Sequence, residues 1–218
     1  MDNICYKLHK LFNSMKRYNF NNINEIPFNN GVYIFFEKDE YYKNMDRIVR
    51  VGTDTGQNNL KSRMSQHFTN ENKDRSIFRK NIGRAILNKT NQINLLNYWN
   101  LDLTERAKKD KYFNEDLNKE CKIIEKQITD FLCNNMSFVV FELEHKDDRL
   151  RFEEAIISAL YNSDDFIASD KWLGNYVLPT KGNHVKNSRM WLSQGLKAKP
   201  ITDEEFTRLL EITKQQIL

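Results

Sequence analysis

With 218 residues, 39% of them hydrophobic and 29% charged, the chain can bury a real core as one compact domain with elaborations, and three prolines and seven glycines argue against linkers and low complexity. A formal charge of +4 does not by itself point to nucleic acid. Cys5, Cys121 and Cys133 are too few and too scattered for a disulfide framework or a structural zinc site, and no stretch reads as a signal peptide or a membrane span, so the expected setting is a reducing cytoplasm with no membrane partner.

Residues 2–18 predict an amphipathic helix, with Ile4, Cys5, Leu8, Leu11, Phe12 and Met15 at helical spacing. An asparagine-rich segment, NFNNINEIPFNN, ends it. Strands are expected over 31–37 and 47–53, pairing as an antiparallel hairpin across the polar connection EKDEYYKNMD. A loop with Gly56 follows, then helices over about 59–68 and 76–88. Residues 90–135 read as a helical insertion whose best segment is 115–133, where Leu117, Cys121, Ile124, Ile128, Phe131 and Leu132 form a stripe. Trp99 is expected to be a packing anchor. SFVVFELE predicts a third strand over 137–144, its continuous apolar start typical of a central position. A helix over 148–162, an irregular segment and a last helix entered through the capping box Thr202-Asp203-Glu204-Glu205 complete the chain. The fold class is α+β: a small antiparallel three-stranded sheet flanked by helices, with terminal extensions over 1–20 and 177–218, all in a single domain.

Charge is unevenly spread. Residues 60–89 hold Lys61, Arg63, Lys73, Arg75, Arg79, Lys80, Arg84 and Lys89 against Glu71 and Asp74, about +6, so the rest of the chain is slightly acidic. A local basic face is what phosphate binding needs; the alternative is a pair of solvated helix faces. Lys61, Arg79, Lys80 and Arg84 are the candidates for backbone contact, with Lys80 and Arg84 one turn apart. Asparagine, 27 of 218 residues, reads either as a polar binding surface or as a codon-usage effect.

A helical wheel of residues 148–162 places Leu150, Ile156, Ile157, Leu160 and Tyr161 on one arc, with Glu153 inside it and Glu154 on the other side with Arg151 and Ser158. A carboxylate turned to the core is costly unless paired or holding a metal, so Glu153 reads as a metal ligand or as half of a buried ion pair. On 60–68, Leu60, Met64 and Phe68 form the packed stripe, and Arg63 and His67 flank it on one edge. Arginine suits phosphate through its planar fork of donors, and His67 is a candidate proton carrier. Tyr33 is in phase with Phe35. GTDTGQNN lacks the Gly-Lys-Ser/Thr ending of a nucleotide loop.

Gly31-Val32-Tyr33, Arg50-Val51-Gly52, Arg63 on a helix with His67 four residues on, and Glu153 followed by Ile156, Ile157 and Leu160 occur in one order along the chain. That order resembles the GIY-YIG nuclease superfamily over roughly 28–88 and 136–176, with Arg50 where the family usually has tyrosine. The resemblance implies a metal-dependent endonuclease hydrolysing DNA phosphodiester bonds. Glu153 would hold Mg²⁺ or Mn²⁺, Arg63 would neutralise the scissile phosphate, and Tyr33 or His67 would assist the attacking water. Arg50 and Asn175 would contact nucleic acid, Asn175 being the counterpart of a family asparagine; Tyr41 and Tyr42 are candidate substitutes for the missing tyrosine. Arg63, His67, Tyr33 and Glu153 are then expected to line one concave surface. The Arg50 departure keeps open a catalytically inactive nucleic-acid-binding domain, and the insertion and C-terminal region are where specificity or a homodimer contact would reside.

Overall fold

The computed structural model describes residues 3–180 and 182–217. Helix α1 (Ile4–Asn13) is capped by the Asn3 side chain, which accepts from the Tyr6 amide, and it ends earlier than the periodicity suggests. Beyond Ser14 the chain leaves the helix because its main chain is used in tertiary pairing: Met15 bridges to Ile217 and Tyr18 to Phe138.

Strands β1 (Gly31–Tyr42) and β2 (Met45–Thr53) form the hairpin. It is longer than the sequence suggests, and the connection is only Lys43-Asn44, with Lys43 in the left-handed region at φ 54°. Polarity hid the extra length. Glu40, on the extended part of β1, is buried against Arg47 of β2 at 2.6 Å, so a charged pair occupies an inward position where an apolar pair would have been read. Glu37 is likewise buried and accepts from the indole N–H groups of Trp172 and Trp191.

The helices α2 (Leu60–Phe68), α3 (Ile77–Lys89), α4 (Ile93–Asn100), α5 (Arg106–Tyr112) and α6 (Glu115–Asn135) follow. Strand β3 (Met136–Glu142) continues directly from α6. It pairs antiparallel to β1, giving the order β2-β1-β3. The central strand is therefore β1. The apolar run of β3 reflects burial of both its faces, while its outer edge is covered by the two-way pairing of Tyr18 with Phe138. Then come α7 (Lys146–Tyr161), the short α8 (Val185–Ser188) and α9 (Asp203–Thr213), the last with its capping box between Thr202 and Glu205 in place.

Each sheet face carries its own core. Tyr33, Phe35, Phe138 and Val140 pack against α2, α3, α4 and α6 through Met64, Phe68, Phe78, Ile82, Trp99 and Ile128. Val32, Ile34, Phe36, Ile48, Val51, Val139 and Phe141 pack against α1 and α7 through Leu8, Phe12, Phe152, Ile156 and Leu160. Trp99 is fully buried and anchors the helical layer: it lies over Gly83, where a Cβ would come within 2.3 Å of its ring. Arg79 joins three helices. Its guanidinium pairs with Glu125 of α6 at 2.8 Å and donates to the carbonyls of His67 and Phe68 at the end of α2.

Candidate active site

The site forms at the outer edge of β2. Phe35 pairs with Arg50 and Phe36 with Ile48, so Val49 is an extra residue in β2. A bulge of this kind bends the strand and re-aims the neighbouring side chain, and here Val49 joins the Tyr33 face while Arg50 turns beside Phe78, 4.9 Å from its ring. The Trp191 amide donates to the Val49 carbonyl at 2.7 Å and caps the β2 edge at that residue. Past that point the edge is open, and a groove of about 390 Å³ lined by Arg50, Val51, Asn81, Arg84, Glu153 and Asn183 lies along it.

Glu153 enters from α7, on the other side of the sheet from α2. Burial pushes its carboxyl up to about 7, opposed by the Arg50 and Arg63 guanidiniums and the Thr53 main chain, with Glu154 adding to the rise. The charge of Arg63 acts on Glu153 although their helices pack on opposite faces of the sheet. Glu154 is exposed, as its side of the wheel requires. Ser158, which shares that side, is instead fully buried: its hydroxyl donates to the Ala198 carbonyl at 2.6 Å, so the C-terminal segment covers that flank of α7.

Arg63 is half-buried and its fork is held by neutral acceptors, Gln66 Oε1 at 2.9 Å and the Arg75 carbonyl at 3.2 Å. Arg50 is 5% exposed; it donates to the Trp191 carbonyl at 2.5 Å, while its Nε is buried without a partner among the described residues. Arg84 is held by Asn81 and Asn100, both at 2.7 Å. The groove therefore sets Arg50 and Arg84, whose hydrogen-bond partners are neutral, on one surface with a desolvated carboxylate, an arrangement that attracts an anion and a cation together, while Arg63 is not among the residues lining it.

Tyr33 and His67 do not line this surface; both are fully buried. The Tyr33 hydroxyl lies 3.0 Å from His67 Nε2, and His67 Nδ1 lies 2.9 Å from Ser76 Oγ. Burial, reinforced by Arg50, Arg63 and Arg79, holds the imidazole well below its ordinary pKa, so the ring is neutral. Tyr33 pairs with Gly52 across the hairpin, and a Cβ at Gly52 would stand 2.3 Å from the Tyr33 oxygen. The absence of that side chain is what lets the tyrosine lie across β2 towards its open edge.

The other expected nucleic-acid contacts divide. Arg79 is fully buried, with its donors used by Glu125, Thr129 and the end of α2; it is a structural tie, and the helical period of the basic segment could not separate it from its exposed neighbours. Lys80 is paired with Asp74 at 2.8 Å. Lys61 is half-buried on α2. Asn175 binds the Ser169 and Asp170 carbonyls within its own loop and is not among the residues lining the groove. Tyr41 is exposed and Tyr42 donates to Asp165 at the far end of the hairpin. The groove instead recruits Asn81, Asn183, Ser193 and Gln194, three of them from an irregular segment with no periodicity to announce them.

The whole of residues 4–217 matches the family model described as the GIY-YIG domain. The chain belongs to the GIY-YIG family. No curated protein and no solved structure matches it. Tyr33 lies on β1, Arg50 on β2, Arg63 on α2 and Glu153 on α7. Among the described residues no helix is long and apolar enough to cross a membrane, and no three His, Cys, Asp or Glu side chains cluster as a metal site.

Proposed function

We propose that this GIY-YIG domain is an endonuclease that hydrolyses DNA phosphodiester bonds with a divalent cation, Mg²⁺ or Mn²⁺. The observation that carries the reading is Glu153: a desolvated carboxylate in an open groove, with Arg50 and Arg63 close enough to act on its charge. One carboxylate, with the remaining positions left to water and phosphate oxygens, suits Mg²⁺, which dehydrates reluctantly and is commonly held by one or two carboxylates plus substrate phosphate. Bound there, the cation would stabilise the leaving oxygen. Arg63 neutralises the charge that develops on the scissile phosphate, its fork already oriented by Gln66. Arg50, which lines the groove, faces the same or the adjoining phosphate in place of the tyrosine usual at that strand position.

Tyr33 and His67 form a buried pair behind the groove. With the imidazole proton on Nδ1 and donated to Ser76, Nε2 accepts from the Tyr33 hydroxyl. The neutral ring thereby fixes the hydroxyl behind β2, where it supports the groove from below and makes no direct contact with its surface. The departure at Arg50 supports a second reading, a domain that binds DNA without cutting it.

Supercoiled plasmid incubated with Mg²⁺ or Mn²⁺ separates the two. The wild type is expected to nick or linearise it, leaving 5′-phosphate and 3′-hydroxyl ends, and Glu153→Gln to lose activity by orders of magnitude while still binding DNA. Equal cleavage by the two proteins would overturn the assignment of Glu153, and binding without cleavage by either would favour the second reading.

A further inference from the structure

The groove does not end at Arg84. Arg84 and Asn183 also line a second cleft of about 410 Å³, which runs between α3, α4 and the residues Leu178, Thr180 and Asn183. Its other walls are the amides of Asn88, Asn97 and Asn100, the Thr180 hydroxyl and the side chains of Leu96 and Leu178. No acidic residue is among the described residues lining it. Leu178 is 55% exposed, an apolar surface beside polar amides.

Arg84 stands at the junction in a fixed pose. Its Nε donates to Asn100 Oδ1 and one terminal nitrogen to Asn81 Oδ1, and the Asn183 amide donates to that same Asn81 oxygen at 3.2 Å. These partners are neutral, and burial lowers the Arg84 pKa from its ordinary value. A guanidinium desolvated in this way, hydrogen-bonded only to amides and with Asp74 acting on its charge from a distance, is a charge set for an incoming anion. Asn97 and Asn100 are three residues apart on α4 and so share a helix face, and the bond from Arg84 fixes which end of the Asn100 amide points away from it. An amide offers one donor and one acceptor side by side, the pattern that matches the N6 and N7 positions of adenine.

We propose that this cleft is a nucleobase subsite: Arg84 holds a phosphate next to the scissile one, and the attached base enters the cleft against Leu178 with its edge read by Asn97 and Asn100. The proposal deepens the nuclease reading and rests on it for the identity of the ligand as a DNA strand. It gives the protein base selectivity at one position displaced from the cut, from the domain's own α3–α4 surface.

Selection from a randomised DNA library, in the presence of EDTA, tests it by binding alone. The full chain is expected to enrich one base, adenine first, at a single position. Asn97→Ala, an exposed position on α4, should lower affinity for the enriched sequence about tenfold, to the level of the other sequences. Arg84→Gln should weaken binding to all sequences alike. Absence of any base preference, absence of binding, or a preference that survives Asn97→Ala would overturn the subsite. The nuclease reading fails separately: selective binding lost in Asn97→Ala, from a protein that never cuts with Mn²⁺, upholds the subsite and refutes catalysis, and cutting without base preference does the reverse.

Discussion

Replacing Glu153 by glutamine should make the metal-free protein more stable. The folded-state carboxyl titrates at about 7 against an ordinary 4.5, because burial outweighs the help from Arg50 and Arg63. A shift of that size corresponds to about 3 kcal/mol between protonated and charged forms at 1.36 kcal/mol per unit, and water entering the open groove reduces this to roughly 1–3 kcal/mol. The raised folded-state value fixes the sign. The stability contributed by protonated Glu153 is fully present below about pH 4.5 and is lost as pH rises through about 7. The stability of Glu153→Gln relative to wild type should therefore grow between those limits and level off above them, worth about 2–4 °C in melting temperature per kcal/mol for a chain of this size. Thermal unfolding followed by circular dichroism in EDTA, from pH 4.5 to 8.5, measures it; subtracting one protein from the other removes titrations they share. Adding Mn²⁺ at pH 8 should raise the melting temperature of the wild type by mass action and leave the variant unmoved. A variant less stable than wild type at pH 8 in EDTA would refute the reasoning, because the carboxylate would then be the stabilising half of an ion pair with an arginine.

Arg79→Met should cost about 3–5 kcal/mol, since it leaves Glu125 buried and uncompensated, and adding Glu125→Leu should restore most of that; unchanged stability in chemical denaturation, together with lost DNA binding, would return Arg79 to the interface. Tyr33→Phe removes the partner of His67 Nε2 and should cost roughly 1–3 kcal/mol in the same assay; a neutral effect would show the relay is not a closed one. His67 is held neutral, so the stability it contributes is present above its ordinary pKa of 6.5 and lost as pH falls below it, and acid unfolding of His67→Gln should be correspondingly flatter, which a pH titration by fluorescence reads. Arg84→Ala should reduce the salt slope of DNA binding by about one unit, whereas Lys80→Ala, whose ammonium is already paired with Asp74, should change it less; equal effects would mean that pair opens on binding.

Of the expected residues, Arg50, Arg84 and Glu153 line the groove, and each sits in a periodic element. The wheel of α7 separated Glu153 from Glu154 by geometry alone, and the structure leaves Glu154 exposed and Glu153 half-buried at the groove. Motif order along the chain suggested the family to which the match over residues 4–217 assigns it. The wheel went wrong at Ser158, because periodicity describes one helix and cannot know which distant segment will cover its flank.

What the sequence by itself determined were local preferences: the capping box at Thr202, the hairpin, the apolar stripes of α2, α6 and α7, and the need of an inward carboxylate for a partner. Tertiary structure alone decided the rest. A count of +6 over one segment became a buried tie at Arg79, a neutralised Lys80 and an accessible Arg84, because ion pairing depends on which acidic groups folding brings close. Strand length was hidden by Glu40 and Arg47, whose charges satisfy each other only across the hairpin. The bulge at Val49 that aims Arg50, and the loop that delivers Asn183 to the groove, come from long-range pairing with Trp191 and Asn81, contacts more than a hundred residues apart along the chain, and no short-range pattern of residue types encodes a distance of that kind.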